Sequence, residues 1–245
     1  MFRLAISGFC GKMGQRIFVL SKDDRNLKVI AGLESKNHPD VGKMIDGVKV
    51  TDNAEILKEC NCLIDFSLPS AVINYLEYLI KFRKAAVIGT TGFSEEEQAK
   101  IKYASRKIPI VFSPNMSIGV NLLFRLTQMA AKILPGYKIY VEEAHHIHKK
   151  DSPSGTAKKI VQILNEEGFA LKPEAVKAIR EGEIVGDHKI VFESEVDKIE
   201  LFHSAKTRDI FARGALVAAK WIKGKKSGLY TMDDVLFGKD KKGKK

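Results

Sequence analysis

At 245 residues and 44% hydrophobic content the chain has room for two modest domains with buried cores. No stretch approaches the roughly 18 to 20 uninterrupted apolar residues of a membrane helix. A formal charge of +11 points to a negatively charged partner, but Lys and Arg are scattered among Glu and Asp with no basic stripe interleaved with aromatics, which argues against nucleic acid and for an anionic small molecule.

The seven residues Lys239 to Lys245 carry +4 of that charge and are expected to be a frayed, solvated terminus. The three cysteines Cys10, Cys60 and Cys62 are odd in number, and Cys-Asn-Cys lacks the Cys-x-x-Cys spacing of a metal or redox site, so buried reduced thiols are expected. Met1-Phe2-Arg3-Leu4 enters a strand-like run without a signal-peptide pattern, and a cytoplasmic location is expected.

In chain order, short apolar runs alternate with amphipathic stretches, the pattern of a parallel sheet covered by helices, and the fold class is α/β. Strands are predicted at Leu4 to Ser7, Val29 to Leu33, Cys62 to Phe66, Ala85 to Ile88 and Ile108 to Phe112. The first runs into Gly8-Phe9-Cys10-Gly11-Lys12-Met13-Gly14 and then a helix through Leu20. Glycines there let the backbone turn sharply and approach a pyrophosphate held by N–H groups at a helix start. The G-x-x-G-x-x-G spacing is weak alone. It gains from Glu34, which ends the second strand twenty positions after Gly14, where an acid accepts from ribose hydroxyls. Gly89-Thr90-Thr91-Gly92 follows the fourth strand as a second loop at the same sheet edge. Ser94 and Glu97 form a capping box at a helix start.

After Asn115 the pattern changes: a helix from Gly119 to Leu134, a strand from Lys138 to Glu143, then a loop rich in His and Lys. Ser154 caps a helix through about Leu164, and His188 to Phe192 with Lys198 to His203 suggest an antiparallel hairpin. Helical pattern returns at Gly214 to Lys223, before the segment Leu229 to Phe237. Two domains are expected, 1–117 with 214–245, and 118–213.

The chemistry concentrates in the loop. His145, His146, His148 and Lys149 fall within five residues at the end of a strand; histidine donates protons near neutrality, and lysine pairs with a carboxylate or donates a proton itself. Zinc binding by the histidines is the rival reading, but an extended chain points His145 and His146 to opposite faces, and no metal is expected. Ser154-Gly155-Thr156 opens the next helix, where backbone N–H groups and hydroxyls suit an anion such as a carboxylate. Lys149 and this helix start together suit a dicarboxylate.

Taken together, Gly8 to Gly14, Asp65-Phe66-Ser67, Gly89 to Phe93, Ser113 to Asn121, the loop through Thr156, Arg180 to His188 and Phe211 to Ala215 resemble the 4-hydroxy-tetrahydrodipicolinate reductases, also called dihydrodipicolinate reductases. The resemblance runs over nearly the whole chain, and Glu143-Ala144-His145-His146-x-His148-Lys149 with Ser154-Gly155-Thr156 is its most specific part. It implies a Rossmann-like doubly wound parallel-sheet domain completed by the C-terminal segment. It also implies an α+β substrate domain whose mixed, largely antiparallel sheet builds a homotetramer, and hinge closure. By the family's pattern His145 is the general acid and Lys149 a proton donor or carboxylate partner. His146, Lys149, Ser154, Gly155 and Thr156 hold a small dianionic cyclic substrate. NADH or NADPH lies on Gly8, Phe9, Cys10, Gly11, Lys12, Met13, Glu34, Gly89, Thr90, Thr91, Ser113, Pro114, Asn115 and Met116. The implied reaction is reduction with loss of water in diaminopimelate and lysine biosynthesis: hydride arrives at C4 of the ring, and charge developing toward nitrogen is met by a cation and a proton. Many members place Arg directly after the acid of the second strand, where it meets the 2′-phosphate of NADPH. Here Ser35 and Lys36 follow Glu34, so NADH use is expected at least as much. Ser113-Pro114-Asn115-Met116 also stands where Ala and Phe are common.

Overall fold

The structure, a computed structural model, describes residues 1–238; the Lys-rich tail lies outside the described residues. The described residues form two compact units, one of residues 1–117 with 211–238, the other of Ile118–Ile210.

The first unit is built on an eight-stranded sheet. Its strands are β1 (Phe2–Ser7), β2 (Leu27–Leu33), β3 (Met44–Ile45), β4 (Val48–Thr51), β5 (Cys62–Asp65), β6 (Ala85–Ile88), β7 (Pro109–Phe112) and β12 (Gly228–Tyr230), in the spatial order β12-β7-β6-β5-β1-β2-β4-β3. Every neighbouring pair is parallel except β3 with β4. Every residue of β5 and β6 is buried, as strands covered on both faces must be, and this is why they read as continuous apolar runs. Helices α1 (Lys12–Ser21), α6 (Asp209–Trp221) and α7 (Met232–Phe237) cover one face through Ile17, Phe18, Ala215, Ala219 and Val235. Helices α2 (Pro69–Phe82) and α3 (Glu95–Ser105) cover the other through Val72, Leu76, Leu79, Ile101 and Ala104. The capping box of α3 is formed: Ser94 Oγ accepts from the Glu97 amide at 3.2 Å and Glu97 Oε2 from the Ser94 amide at 2.8 Å. Cys60 and Cys62 are buried free thiols, whereas Cys10 is only partly buried.

Strand β3 is absent from the sequence pattern because two residues carry no periodicity. Its turn was nonetheless written in Asp46-Gly47, whose φ of 46° and 81° are those of a tight hairpin turn.

The second unit carries a four-stranded sheet, ordered β11-β10-β8-β9, from β8 (Lys138–His145), β9 (Lys177–Arg180), β10 (Gly186–Glu193) and β11 (Lys198–Ala205). It is antiparallel but for the β8–β9 pair. Helices α4 (Ile118–Ile133) and α5 (Gly155–Glu166) enclose Leu123, Ile160, Leu164, Val141, Ile190 and Phe192 as its core. Strand alternation sends Glu143, His145, Gly186 and His188 to the buried side and leaves Tyr140 51% and Phe202 63% exposed on the opposite side.

Candidate active site

In the first unit β1, β2, β5, β6 and β7 are parallel, so their carboxyl ends share one edge. Chain order reverses across β1, with β2 on one side and β5 on the other, and such switch points are where doubly wound sheets take ligands. The glycine loop sits there. Gly8 has φ +71°, and a Cβ on it would lie 2.4 Å from the Phe66 carbonyl oxygen; one on Gly14 would lie 2.1 Å from the Gly8 oxygen. Side chains are thus excluded and the turn runs straight into α1. Gly11 caps that helix with extended backbone and no side-chain hydrogen bond, so no side chain of its own competes with an anion at the first turn. Lys12 and Met13 are the first two residues of α1, Lys12 exposed and Met13 partly buried.

Glu34 Oε1 accepts the Cys10 amide at 2.7 Å, which ties the acid of β2 to the glycine loop. A cleft of about 1020 Å³ opens between them, lined among others by Gly8, Cys10, Gly11, Glu34, Ser35 and Lys36. Phe9 turns the other way. It is fully buried, 5.1 Å from the Phe18 ring, and packs so tightly on Gly32 that a Cβ there would lie 2.4 Å from its ring. Phe9 therefore has only its main chain to offer a ligand.

The loop after β6 is pinned from beneath. Thr90 Oγ1 donates to the buried Asp65 at 2.6 Å and accepts the Ser67 amide at 2.9 Å, and Gly89 leaves room for the Phe66 ring; Thr91 is exposed. After β7, Ser113 Oγ donates to the Asn115 carbonyl at 2.9 Å and Asn115 Oδ1 accepts the Ser117 amide at 2.9 Å, closing a turn around Pro114. Met116 is buried, with its carbonyl against Gly214. Burial, with Thr90 and Ser67 opposing, raises the Asp65 pKa. Cys10, His38 and Asp40 bring ligand-type atoms within 4.8 Å of one another, and Lys43 neutralises Asp40 at 2.8 Å.

In the second unit the C-terminal end of β8 carries Glu143 and His145. His145 Nδ1 hydrogen-bonds Glu143 Oε2, and that carboxylate has no exposure. Arg180 grips both of its oxygens, Nη2 to Oε1 at 2.8 Å and Nη1 to Oε2 at 3.0 Å. The Ser154 amide donates to Oε1 at 3.1 Å. Burial pushes Glu143 toward protonation, but Arg180 and His145 outweigh it and hold the carboxyl below its ordinary value. Burial also pulls His145 below the usual histidine value, against the upward pull of Glu143 and with Lys149 and Arg180 adding to the fall.

His188 stands edge-on to His145 with ring centroids 5.3 Å apart and shares a hydrogen bond with Ser154 Oγ at 3.1 Å. Ser154 Oγ also accepts the Ala157 amide at 3.2 Å, capping α5 as the sequence predicts. A Cβ on Gly155 would meet nothing within 4 Å, so open space lies beside the first turn of α5, where Thr156 follows. His146 leaves the strand with its amide on the Ile184 carbonyl at 2.7 Å, and Lys149 Nζ pairs with Asp151 at 2.7 Å. The sequence reading assigned no role to Glu143, Arg180 or His188. Glu143 has a signal, because residues two apart on a strand share a face; Arg180 opens one of the segments that carry the resemblance, but only the pairing of β8 with β9 sets it opposite His145.

Comparison with known proteins gives one answer. A family model described as dihydrodipicolinate reductase, N-terminus, matches residues 2–116, and its C-terminal counterpart matches 119–236. The 4-hydroxy-tetrahydrodipicolinate reductase of Aquifex aeolicus (strain VF5) is 42% identical, with 96% of this chain and 98% of the relative covered. That of Pelagibacter ubique (strain HTCC1062) is 41% identical, covering 95% and 97%. Among solved structures, a dipicolinate-bound dihydrodipicolinate reductase from Paenisporosarcina sp. TG-14 matches with a TM-score of 0.83 at 25% identity, covering 94% of this chain and 97% of that one.

Proposed function

The chain belongs to the dihydrodipicolinate reductase family, and we propose that it reduces 4-hydroxy-tetrahydrodipicolinate to tetrahydrodipicolinate with NADH or NADPH, releasing water, in diaminopimelate and lysine biosynthesis. The observation that carries this reading is the second unit's cluster: a buried Glu143 that holds His145 beside the start of α5, in a loop that also bears Lys149. The glycine loop, the start of α1 with no side-chain cap and the cleft reaching Glu34 fit a dinucleotide, with the pyrophosphate on the main chain of Gly8 to Met13 and the adenosine ribose on Glu34. Gly89 to Thr91 and Ser113 to Met116 are proposed to line the nicotinamide end.

The bound dinucleotide supplies a hydride. His145 supplies the proton that balances it, Lys149 and the Ser154 to Thr156 helix start hold the two substrate carboxylates, and His146 orients the ring. Dependence on a reduced nicotinamide cofactor supports a cytoplasmic location. The test is a coupled assay that generates the cyclic substrate enzymatically and follows oxidation of NADH and NADPH in parallel; a folded, NADH-binding protein that oxidises neither overturns the reading. Lys36 is the exposed cation nearest in sequence to Glu34, so Lys36→Ala is expected to lower kcat/KM for NADPH by about tenfold, the value of one charged hydrogen bond, with NADH changed less than about twofold. An unchanged ratio removes Lys36 from phosphate recognition.

A homotetramer is proposed from the outward side of the second unit's sheet, where the exposed Tyr140 and Phe202 stand among Lys189–Glu200 and Lys177–Glu142 pairs at 2.8 Å and 2.7 Å. Apolar residues ringed by paired charges suit a self-complementary contact. Phe202→Asp is expected to convert a four-chain species into smaller ones by light scattering, and a monomeric wild type refutes the tetramer.

A further inference from the structure

We propose that Glu143 and Arg180 are positioning residues for this reaction: they fix which nitrogen of His145 keeps its proton and bind that ring to the helix start that takes the substrate. The proposal rests on the reading of His145 as proton donor.

An ionised carboxylate only accepts hydrogen bonds. Glu143 is fully buried and receives four: His145 Nδ1 and Arg180 Nη1 on Oε2, Arg180 Nη2 and the Ser154 amide on Oε1. The bidentate arginine keeps the group charged and its plane fixed. Facing such an acceptor, Nδ1 of His145 must carry hydrogen, so Nε2 is the atom that exchanges a proton. The opposite wall agrees. A Cβ on Gly186 would come within 3.0 Å of Nε2, so a side chain there would press on that nitrogen, and Gly186 leaves the space empty.

The clamp reaches further than one ring. Arg180 Nη2 also donates to the Asp151 carbonyl at 2.7 Å and Nη1 to the Ile179 carbonyl at 2.7 Å. It therefore ties the far end of the Lys149 loop to β9, while Glu143 Oε1 sets Ser154. One ion pair thus couples the proton donor with the carboxylate site. Titratable or charged groups facing His145 are Glu143 on its own strand, Arg180 on β9, His188 on β10 and Lys149 and Asp151 in the loop.

Nitrogen-15 correlation spectra of the substrate-free protein, with His145 assigned by its loss in His145→Gln, report the tautomer without reference to activity. The wild type is expected to show hydrogen on Nδ1. Glu143→Gln keeps the shape but replaces one oxygen by an NH₂, and where that NH₂ faces His145 Nδ1 the nitrogen must accept; the variant is expected to populate the Nε2–H form and lower kcat on the order of 10²-fold, with NADH affinity within about twofold. Arg180→Lys retains the charge but not the fork; it is expected to keep Nδ1–H and to raise KM for the cyclic substrate more than it lowers kcat. A wild type with hydrogen on Nε2 overturns the clamp even if Glu143→Gln fails to fold, as does a folded Glu143→Gln that keeps the wild-type tautomer and kcat. Turnover with the wrong tautomer defeats the clamp and leaves the reductase reading standing; the expected tautomer with no turnover of the cyclic substrate defeats the reductase reading instead.

Discussion

His145→Gln is expected to lower kcat on the order of 10²- to 10⁴-fold, the range contributed by a positioned general acid, while NADH affinity stays within a few fold because the residues proposed to hold the dinucleotide belong to the other unit. Glutamine fills a similar volume and still reaches Glu143, so the loss is of proton transfer. The pH dependence makes the assignment sharper. In the free chain burial holds the His145 pKa below the ordinary value near 6.5, so the imidazole is mostly neutral at pH 7 and its Nε2 bears a lone pair. With the substrate bound as proposed, its two carboxylates beside the ring would stabilise the imidazolium and raise that pKa. The titration seen in kcat/KM, which reports the free enzyme, is therefore expected at lower pH than the one seen in kcat, which reports the complex. Steady-state profiles of both parameters check this. Unchanged turnover in His145→Gln removes His145 from the chemistry, and coincident titrations contradict charging by the substrate.

What the sequence disclosed depended on how much periodicity each element carries. The strands β1, β5, β6 and β7 are doubly covered apolar runs and stand out in the composition alone, and the start of α3 is announced by Ser94 and Glu97 because capping is local chemistry. Strands β3, β4, β9 and β12 have two to four residues and no continuous apolar run, Lys49 interrupting β4 and Lys177 and Arg180 bounding β9, and their partners are chosen by tertiary pairing. Side-chain direction in loops was equally hidden. Phe9 sits in a glycine loop, yet its ring belongs to the core, because the turn at Gly8 sends it inward onto Gly32. The histidine-rich loop was conspicuous by residue type, but Arg180, 37 positions beyond Glu143, is joined to it only by the β8–β9 register.

Acid is expected to weaken the second unit well before its carboxylates protonate. His188 is almost fully buried, and burial, with His145 adding to it, pushes its pKa down from 6.5 to about 3. Its unfolded form binds a proton more tightly than the folded one, so stability rises with pH wherever the two differ. The contribution is fully present above about pH 6.5 and is lost as pH falls from there toward about 3. At 1.36 kcal/mol per pKa unit the full loss is on the order of 5 kcal/mol, a large share of a domain's stability. His145 and His203, both also lowered first by burial, act in the same direction. Glu143 behaves differently: Arg180 and His145 hold it below the ordinary carboxylate value, so its share is lost only below about pH 4.5. The interval from about pH 6.5 to 4.5 therefore isolates the histidines. His188→Gln keeps a polar partner for Ser154 Oγ without a titrating ring. Its urea midpoint, followed by far-ultraviolet circular dichroism, is expected to fall much less over that interval than the wild-type midpoint does. Trp221, the sole tryptophan, lies in the other unit and reports by fluorescence whether that unit stays folded meanwhile. Parallel slopes for variant and wild type would mean that His188 accepts its proton at no cost to the fold and that the acid sensitivity of this unit has another origin.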